Sequence, residues 1–253
     1  MDPLILRKKI EAGHPIIAAA MATPAPFLIE MISQIEGYDA LLLDFQHGLA
    51  TEADLIPSFQ AMRAGGGVAF PRVGWNDPHQ ISRILDGGAL GIICPMINTR
   101  EDVERFVGAA RFPPLGYRSF GPFVAGTVFD DYPAKANDAV ITLAMIETRS
   151  ALENLDEILT VPGLDGVFIG QCDLGISLGH GIKPNWLDGE VYEATLRIRD
   201  AALAAGKVPG IMASTTAIAR QLLDEGFLFI GAPSEGLLFP AMEAALAEIR
   251  GKD

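Results

Sequence analysis

Residues 141–170 read ITLAMIETRSALENLDEILTVPGLDGVFIG and contain two apolar runs separated by a stretch with helical spacing. The runs 141–147 and 165–170 are apolar on both faces, as expected of buried strands in a parallel sheet. Between them, residues 150–159 repeat apolar side chains every three or four positions, which is typical of a helix. The stretch therefore predicts a βαβ unit, in which a helix joins two parallel strands.

The same alternation of short apolar runs and helical stretches extends over the whole chain. The predicted strands are 15–23, 40–47, 68–73, 91–96, 141–147, 165–170, 208–213 and 227–232. The predicted helices are 27–36, 54–64, 78–86, 99–110, 150–159, 191–205, 215–225 and 240–250. This pattern predicts an α/β fold, a single (β/α)8 TIM barrel over residues 1–253, with an open doubly wound sheet as the alternative. Two connections, 112–139 and 174–189, are long enough to indicate functional loops.

Composition and charge restrict the class of partner. The chain has 253 residues, is 49% hydrophobic and has a formal net charge of −13. An acidic surface argues against binding to nucleic acid or to anionic membranes, but it leaves a small anionic substrate open. Cys94 and Cys172 form neither a disulfide framework nor a zinc motif, and the N-terminal charge order differs from that of a signal peptide. We therefore expect a cytoplasmic protein.

Reactive side chains cluster at the ends of the predicted strands, where barrel enzymes have their active sites. Asp44 and His47 end the second strand, Arg72 the third and Glu147 the fifth, and Asp173 follows the sixth. Two carboxylates suit a hard divalent cation such as Mg²⁺ or Mn²⁺. An arginine can stabilise a developing enolate, and a histidine can transfer a proton near neutral pH.

Each of these residues also has an ordinary structural interpretation. Glu147 precedes a predicted helix start and could cap it, whereas Asp173 has no clear helix to cap. His47 could be a satisfied interior histidine, and Arg72 could be an ion-pair partner of Asp44. No lysine ends a predicted strand, which disfavours a Schiff-base mechanism.

Five motifs together resemble the HpcH/HpaI aldolase family. They are LLLDFQHG (41–48), PRVGWNDPHQISRILDGGALGIICPMINTRED (71–102), RFPPLGYRSFGP (111–122), MIETRSALENLDEIL (145–159) and GLDGVFIGQCDLG (163–175). This family of class II pyruvate aldolases includes 4-hydroxy-2-oxoheptanedioate aldolase and 2-dehydro-3-deoxyglucarate aldolase. The resemblance covers nearly the whole chain. It implies a barrel of the phosphoenolpyruvate/pyruvate type whose last helix is exchanged between subunits of a homohexamer, a trimer of dimers.

The resemblance also implies a role for each matching residue. Glu147 and Asp173 would bind the divalent metal, which is Mg²⁺, Mn²⁺ or Co²⁺. Arg72 would stabilise the enolate, and His47 would transfer a proton with Asp86 as its partner carboxylate. The remaining implied residues bind the substrate or support the site: Gly170, Gln171, Cys172 and Asp173 for the substrate carboxylate, and Asp44 and Gln46 beside the arginine. The implied reaction adds pyruvate or hydroxypyruvate, a 2-keto acid, to an aldehyde.

Three departures from the usual family pattern stand out. Gln46 replaces a glutamate of many members, Met145 replaces a glutamine, and Gly-Gln-Cys-Asp-Leu-Gly at 170–175 replaces Gly-Pro-Ala-Asp-Leu-Ser. Three other functions stay open for such a chain: an acyl-CoA lyase of the citryl-CoA or malyl-CoA type, a metal-independent synthase that condenses keto acids, and a non-catalytic keto-acid-binding protein.

Overall fold

The strands of the computed structural model, which describes residues 1–181, 183 and 187–251, form one parallel sheet. They are β1 (Ile16–Met21), β2 (Ala40–Leu43), β3 (Gly91–Cys94), β4 (Ile141–Ile146), β5 (Gly166–Ile169), β6 (Val208–Met212) and β7 (Phe229–Pro233). Their order in the curled sheet is β2-β1-β7-β6-β5-β4-β3, with every neighbouring pair parallel. The carboxyl ends of all these strands therefore meet at one edge.

The predicted strand 68–73 pairs less regularly than the others. It forms single-residue bridges from Ala69 and Arg72 to β2 and β3 rather than a continuous ladder. The Phe70 N–H donates to the Leu41 carbonyl at 2.9 Å. The Ile93 N–H donates to the Pro71 carbonyl at 3.0 Å. Pro71 has no N–H to donate, which interrupts the ladder at its centre. The segment nevertheless lies between β2 and β3, the two ends of the strand order.

Helices lie before, between and after the strands. They are α1 (Ile5–Glu11), α2 (Pro26–Ser33), α3 (Glu52–Ala64), α4 (Pro78–Asp86), α5 (Arg100–Ala110), α6 (Ala125–Val128), α7 (Tyr132–Ala139), α8 (Arg149–Glu153), α9 (Leu155–Leu159), α10 (Gln171–Leu178), α11 (Gly189–Ala204), α12 (Thr216–Asp224) and α13 (Leu238–Ile249). The predicted start of α4 is confirmed: the Asp77 carboxylate accepts from the His79 N–H at 2.9 Å, and Pro78 is the first helical residue. No helix in the described ranges is both long and apolar enough to cross a lipid bilayer.

One predicted helix was wrong in its bounds. The segment predicted as a single helix, 150–159, is two helices, α8 and α9, which meet at Asn154, and α8 starts at Arg149 with Thr148 as its N-cap residue. The Thr148 hydroxyl accepts from the Ala151 N–H at 3.0 Å, because a threonine side chain competes well for the first free amides of a helix.

The two long connections also contain more structure than predicted. Helices α6 and α7 lie within 112–139, and α10 includes the start of 174–189. α10 was not predicted because it contains Gly175, and glycine is unfavourable inside a helix. The helix is nevertheless anchored to the core through Leu174, which is fully buried. Of this connection, residues 182 and 184–186 lie outside the described residues.

Aromatic rings fill the interior of the curled sheet. The ring centroids of Phe70 and Phe229 are 4.6 Å apart, and those of Phe168 and Phe229 are 6.0 Å apart. At the amino ends of the strands, Arg7 and Arg111 both pair with Asp165, at 2.6 and 2.8 Å. Because this ion-pair cluster occupies the amino ends, an active site is expected at the opposite, carboxyl ends of the strands.

Candidate active site

A cavity of about 330 Å³ opens at the carboxyl ends of the strands. Six of the residues expected at the site line it: His47, Arg72, Gly170, Gln171, Cys172 and Asp173. Sequence reasoning missed part of its wall. Ser214 comes from the connection between β6 and α12, Ile218 from the first turn of α12, and Lys183 from the connection after α10. The residue pattern of these connections carries no reactive motif, so only their position after a strand end could have indicated them.

Arg72 is held in place by Asp44. Its Nε donates to Asp44 Oδ1 at 2.9 Å and its Nη2 donates to Oδ2 at 2.6 Å, a bidentate pair. Burial raises the pKa of the Asp44 carboxyl, but Arg72 and the backbone N–H groups of Gln46 and His47 outweigh burial and hold that pKa below its usual value. The remaining guanidinium nitrogen, Nη1, lies 4.0 Å from the Met145 sulfur at the cavity. The ion-pair interpretation and the cavity-facing one therefore both hold for Arg72.

Glu147 is a buried carboxylate at the end of β4, with a side chain that is 1% exposed. Its Oε1 accepts from the Met96 N–H at 2.7 Å. Burial raises the pKa of Glu147, the Met96 N–H opposes this effect, and the nearby charge of Asp173 raises the pKa further. Because Thr148 caps the helix that follows, Glu147 is not needed as a cap.

Glu147 adjoins the cavity at Gly170. A β-carbon added to Gly170 would lie 2.5 Å from Glu147 Oε2 and 2.8 Å from the Met145 methyl group. Gly170 stands beside Glu147 because Ile146 pairs with Ile169 across β4 and β5. The absent side chain therefore leaves the space that the second carboxylate oxygen needs.

The two predicted metal ligands suit a hard divalent cation. Asp173 lies in the first turn of α10, which was predicted as a loop, and is exposed at the cavity, where its charge acts on Glu147. Within residues 1–181, 183 and 187–251, no group of three or more His, Cys, Asp or Glu residues could hold a metal. Two carboxylates with further positions left to water and substrate are what Mg²⁺ and Mn²⁺ sites use.

His47 and Asp86 lie at opposite ends of the sheet. His47 follows β2, is exposed and lines the cavity. Asp86 ends α4, just before β3 begins, and its Oδ1 accepts from Arg118 Nη2 at 2.7 Å. The pairing implied by the resemblance therefore needs two copies of the chain. Gln46 is the other residue implied to support the site. Its side-chain oxygen is buried and has no hydrogen-bond partner in the part of the chain that the structure describes.

Comparisons with known proteins identify the family. Residues 23–240 match the HpcH/HpaI aldolase/citrate lyase family. The chain is 40% identical over 240 residues to hydroxypyruvate/pyruvate aldolase of Rhizorhabdus wittichii, covering 94% of this chain and 95% of the relative. It is 35% identical over 244 residues to 4-hydroxy-2-oxo-heptane-1,7-dioate aldolase of Klebsiella pneumoniae, covering 94% and 90%. The crystal structure of citrate synthase SbnG superposes with a TM-score of 0.86 at 29% identity, covering 98% of both chains.

We expect the substitution Gly170→Ala to displace Glu147. The new methyl group would collide with the carboxylate and with Met145, an overpacking that costs about 1–3 kcal/mol in a packed interior. Catalytic turnover should fall, and the free energy of unfolding measured in urea should decrease. Gly126→Ala is the matched control, because nothing lies within 4 Å of a β-carbon there. Unchanged turnover in Gly170→Ala would show that the space beside Glu147 is not needed.

Asp44→Asn should destabilise the chain in a pH-dependent manner. The pKa of Asp44 is lowered on folding, so its ion pair stabilises the chain above the ordinary value of 3.8 and is lost as the pH falls through the lower folded value. Removing one partner of a largely buried pair costs about 3 kcal/mol. The difference in unfolding free energy between the wild type and Asp44→Asn should therefore be large at pH 7 and shrink below the ordinary aspartate pKa. Asp224→Asn, in an exposed pair with Arg220, should show little effect at any pH. A difference for Asp44→Asn that is independent of pH would contradict the assigned role.

Proposed function

This chain belongs to the HpcH/HpaI aldolase/citrate lyase family and is a carbon–carbon lyase, and we propose that it adds pyruvate or hydroxypyruvate reversibly to an aldehyde in a metal-dependent, class II reaction. The observation that carries this proposal is that Arg72 and Asp173 line one cavity while Glu147 is buried directly behind Gly170 in its wall, where the charges of both residues act on it. Those residues supply a fixed cation and two oxygen ligands next to each other. A small 2-keto acid fits a cavity of about 330 Å³ with room for a second reactant.

Glu147 and Asp173 would hold the metal, for which Mg²⁺, Mn²⁺ and Co²⁺ are the candidates. When bound, a divalent cation supplies Lewis acidity that stabilises negative charge on the keto oxygen. The electrostatics of the two carboxylates support this role, since burial and the charge of Asp173 both raise the pKa of Glu147. A cation at that position would favour the ionised form.

The protein groups around the donor bind and orient it. α10 begins at Gln171 in the cavity wall, and the positive end of a helix dipole favours an anionic carboxylate. Arg72 adds a second positive group, and Asp44 fixes the guanidinium plane so that Nη1 remains at the cavity. Arg72 would thus stabilise the enolate as the proton leaves the carbon next to the ketone.

Proton transfer is assigned to His47. The imidazole lies at the cavity mouth, where it can deliver a proton to the new alkoxide during addition and accept it during cleavage. Asp86 of a second copy would orient that ring, because the two residues of one chain lie at opposite ends of the sheet.

The exposed apolar surface of α13 supports such an arrangement through exchange of this helix between subunits. Every described residue of α13 is at least partly exposed, with Phe239 75% and Ile249 81% exposed. Phe27 and Met31 of α2, and Ile35 just beyond it, form an exposed apolar stripe at intervals of four residues. Two uncovered apolar surfaces on one chain suit mutual burial between copies. The proposal therefore includes this helix exchange and a hexamer of three dimers. It also includes a closed (β/α)8 barrel in which 68–73 is a strand.

A metal-independent condensing synthase is the second candidate. It is favoured by the likeness to citrate synthase SbnG over 98% of both chains. Activity that survives complete chelation would support this reaction over the aldolase reaction. Under chelation, the class II proposal requires that activity disappear and return with Mg²⁺, Mn²⁺ or Co²⁺.

Arg72→Ala and Glu147→Gln test the proposed chemistry. Both should slow aldol cleavage and the exchange of pyruvate methyl protons for deuterium at least about 10²-fold, the usual loss when one stabiliser of a developing oxyanion is removed. Proton exchange is measured by NMR in D₂O and cleavage by release of the 2-keto acid. Arg220→Ala, on the exposed surface of α12, is the control. Full retention of both activities in either variant would refute the mechanism.

The double substitution Phe239→Asp with Ile249→Asp tests the role of α13. Burying two carboxylates in an apolar interface is strongly unfavourable, so the assembly should dissociate into smaller species. Molar mass measured by light scattering after size-exclusion chromatography gives the result. Glu248→Gln in the same helix should leave the mass unchanged, because that side chain is already polar and exposed. An unchanged mass in the double variant would exclude α13 from the interface.

A further inference from the structure

We propose that Met96, through its backbone, is the positioning residue that sets the orientation of the Glu147 carboxylate. Its N–H donates to Glu147 Oε1 at 2.7 Å, although the two residues are 51 positions apart. The inference rests on the proposed function, because it concerns the residue there assigned to the metal. The metal affinity of Glu147, which follows β4, would then depend on the backbone conformation of Met96, which follows β3.

Met96 has an unusual backbone conformation. Its φ is +56°, and within the described residues only Asp131 shares a positive φ among the non-glycine residues. The left-handed region costs an L-residue roughly 1–2 kcal/mol. Such a conformation persists only where the surroundings hold it, and it is concentrated at functional sites.

The turn that contains Met96 is held at both ends. On one side it follows β3, and on the other the Met96 carbonyl accepts from the Asn98 side-chain amide at 2.9 Å. The Asn98 N–H donates to the Asp102 carboxylate at 3.0 Å, and the Thr148 hydroxyl donates to the Asn98 side-chain oxygen. The turn is therefore tied to the residue directly after Glu147.

Two constraints then select one orientation of the Glu147 carboxylate. The Met96 N–H occupies Oε1, and the missing side chain of Gly170 leaves space for Oε2. Oε2 thereby lies beside Gly170, the residue that directly precedes α10 and its Asp173. Because both ends of the turn are held, a residue that cannot adopt the left-handed region must rotate the neighbouring peptide units and turn the N–H away from Oε1.

A series at position 96 separates the backbone from the side chain. Glycine and asparagine tolerate a positive φ, whereas β-branched valine does not. After removal of metal by chelation, the Mn²⁺ dissociation constant is measured by electron paramagnetic resonance, alongside thermal unfolding. Met96→Gly and Met96→Asn should bind Mn²⁺ nearly as tightly as the wild type. Met96→Val should bind about 10–100-fold more weakly, the usual effect of losing a group that orients a ligand.

Each outcome decides the inference. Wild-type Mn²⁺ affinity in Met96→Val would overturn it, and so would an equal loss in Met96→Gly, Met96→Asn and Met96→Val, because the side chain would then be responsible. A residue with only a structural role would change the unfolding temperature without changing the dissociation constant. Should Met96→Val not fold, Met96→Ala replaces it: it should bind Mn²⁺ less tightly than Met96→Gly, and equal affinities would overturn the inference.

Glu147→Gln distinguishes this inference from the proposed function. If Glu147→Gln binds Mn²⁺ as tightly as the wild type, the metal role of Glu147 is wrong and the inference falls with it. If Glu147→Gln loses Mn²⁺ while Met96→Val retains it, the metal role of Glu147 stands and only the inference is wrong.

Discussion

The parallel register between β4 and β5 is the constraint on which the rest of the site depends. Ile146 pairs with Ile169, so the residues that follow them, Glu147 and Gly170, stand side by side at the carboxyl edge. In a parallel sheet this adjacency is obtained from strand ends that are distant in sequence, with no turn between them. A shift of one residue would point Glu147 away from the cavity, since side chains alternate between faces along a strand. The proposed metal ligands, the glycine gap and the first amides of α10 all follow from this one alignment.

The site manages buried charge through specific partners. Asp44 neutralises Arg72 in a bidentate pair, and the Met96 N–H satisfies one oxygen of Glu147. Burial and the charge of Asp173 raise the pKa of Glu147 while the Met96 N–H and Arg72 oppose them, and a divalent cation bound there would favour the ionised form. Although the chain has a net charge of −13, Arg72 and Lys183 supply positive groups at the cavity that suit an anionic keto acid.

The proposed assembly of several copies is based on the distribution of exposed apolar surface. α13 packs little against its own barrel, and α2 leaves an apolar stripe exposed. The residue proposed to orient His47 is on the far side of the sheet from that histidine. All three features are explained together if neighbouring copies exchange a helix and bring one copy's amino-end residues to another's cavity.

The sequence by itself determined the features that depend on local pattern. Alternating apolar runs located the strands, Asp77 and Pro78 marked the start of α4, and the strand-end residues His47, Arg72 and Asp173 do line one cavity. Family motifs identified the chemistry. Periodicity and capping work here because they reflect interactions among residues a few positions apart.

Only the tertiary structure decided the features that depend on distant contacts. The left-handed Met96 carries no local sequence mark, since it is stabilised by an acceptor 51 positions away. The sequence also carries no local mark of the contact between Arg72 and Met145 or of the place of Ser214 in the cavity wall. Nor does it mark the irregular pairing of 68–73, in which only Ala69 and Arg72 form bridges. Strand pairing and loop closure bring these groups together. Each such contact depends on residues that are far apart in the sequence, so a pattern read over a short stretch cannot predict it.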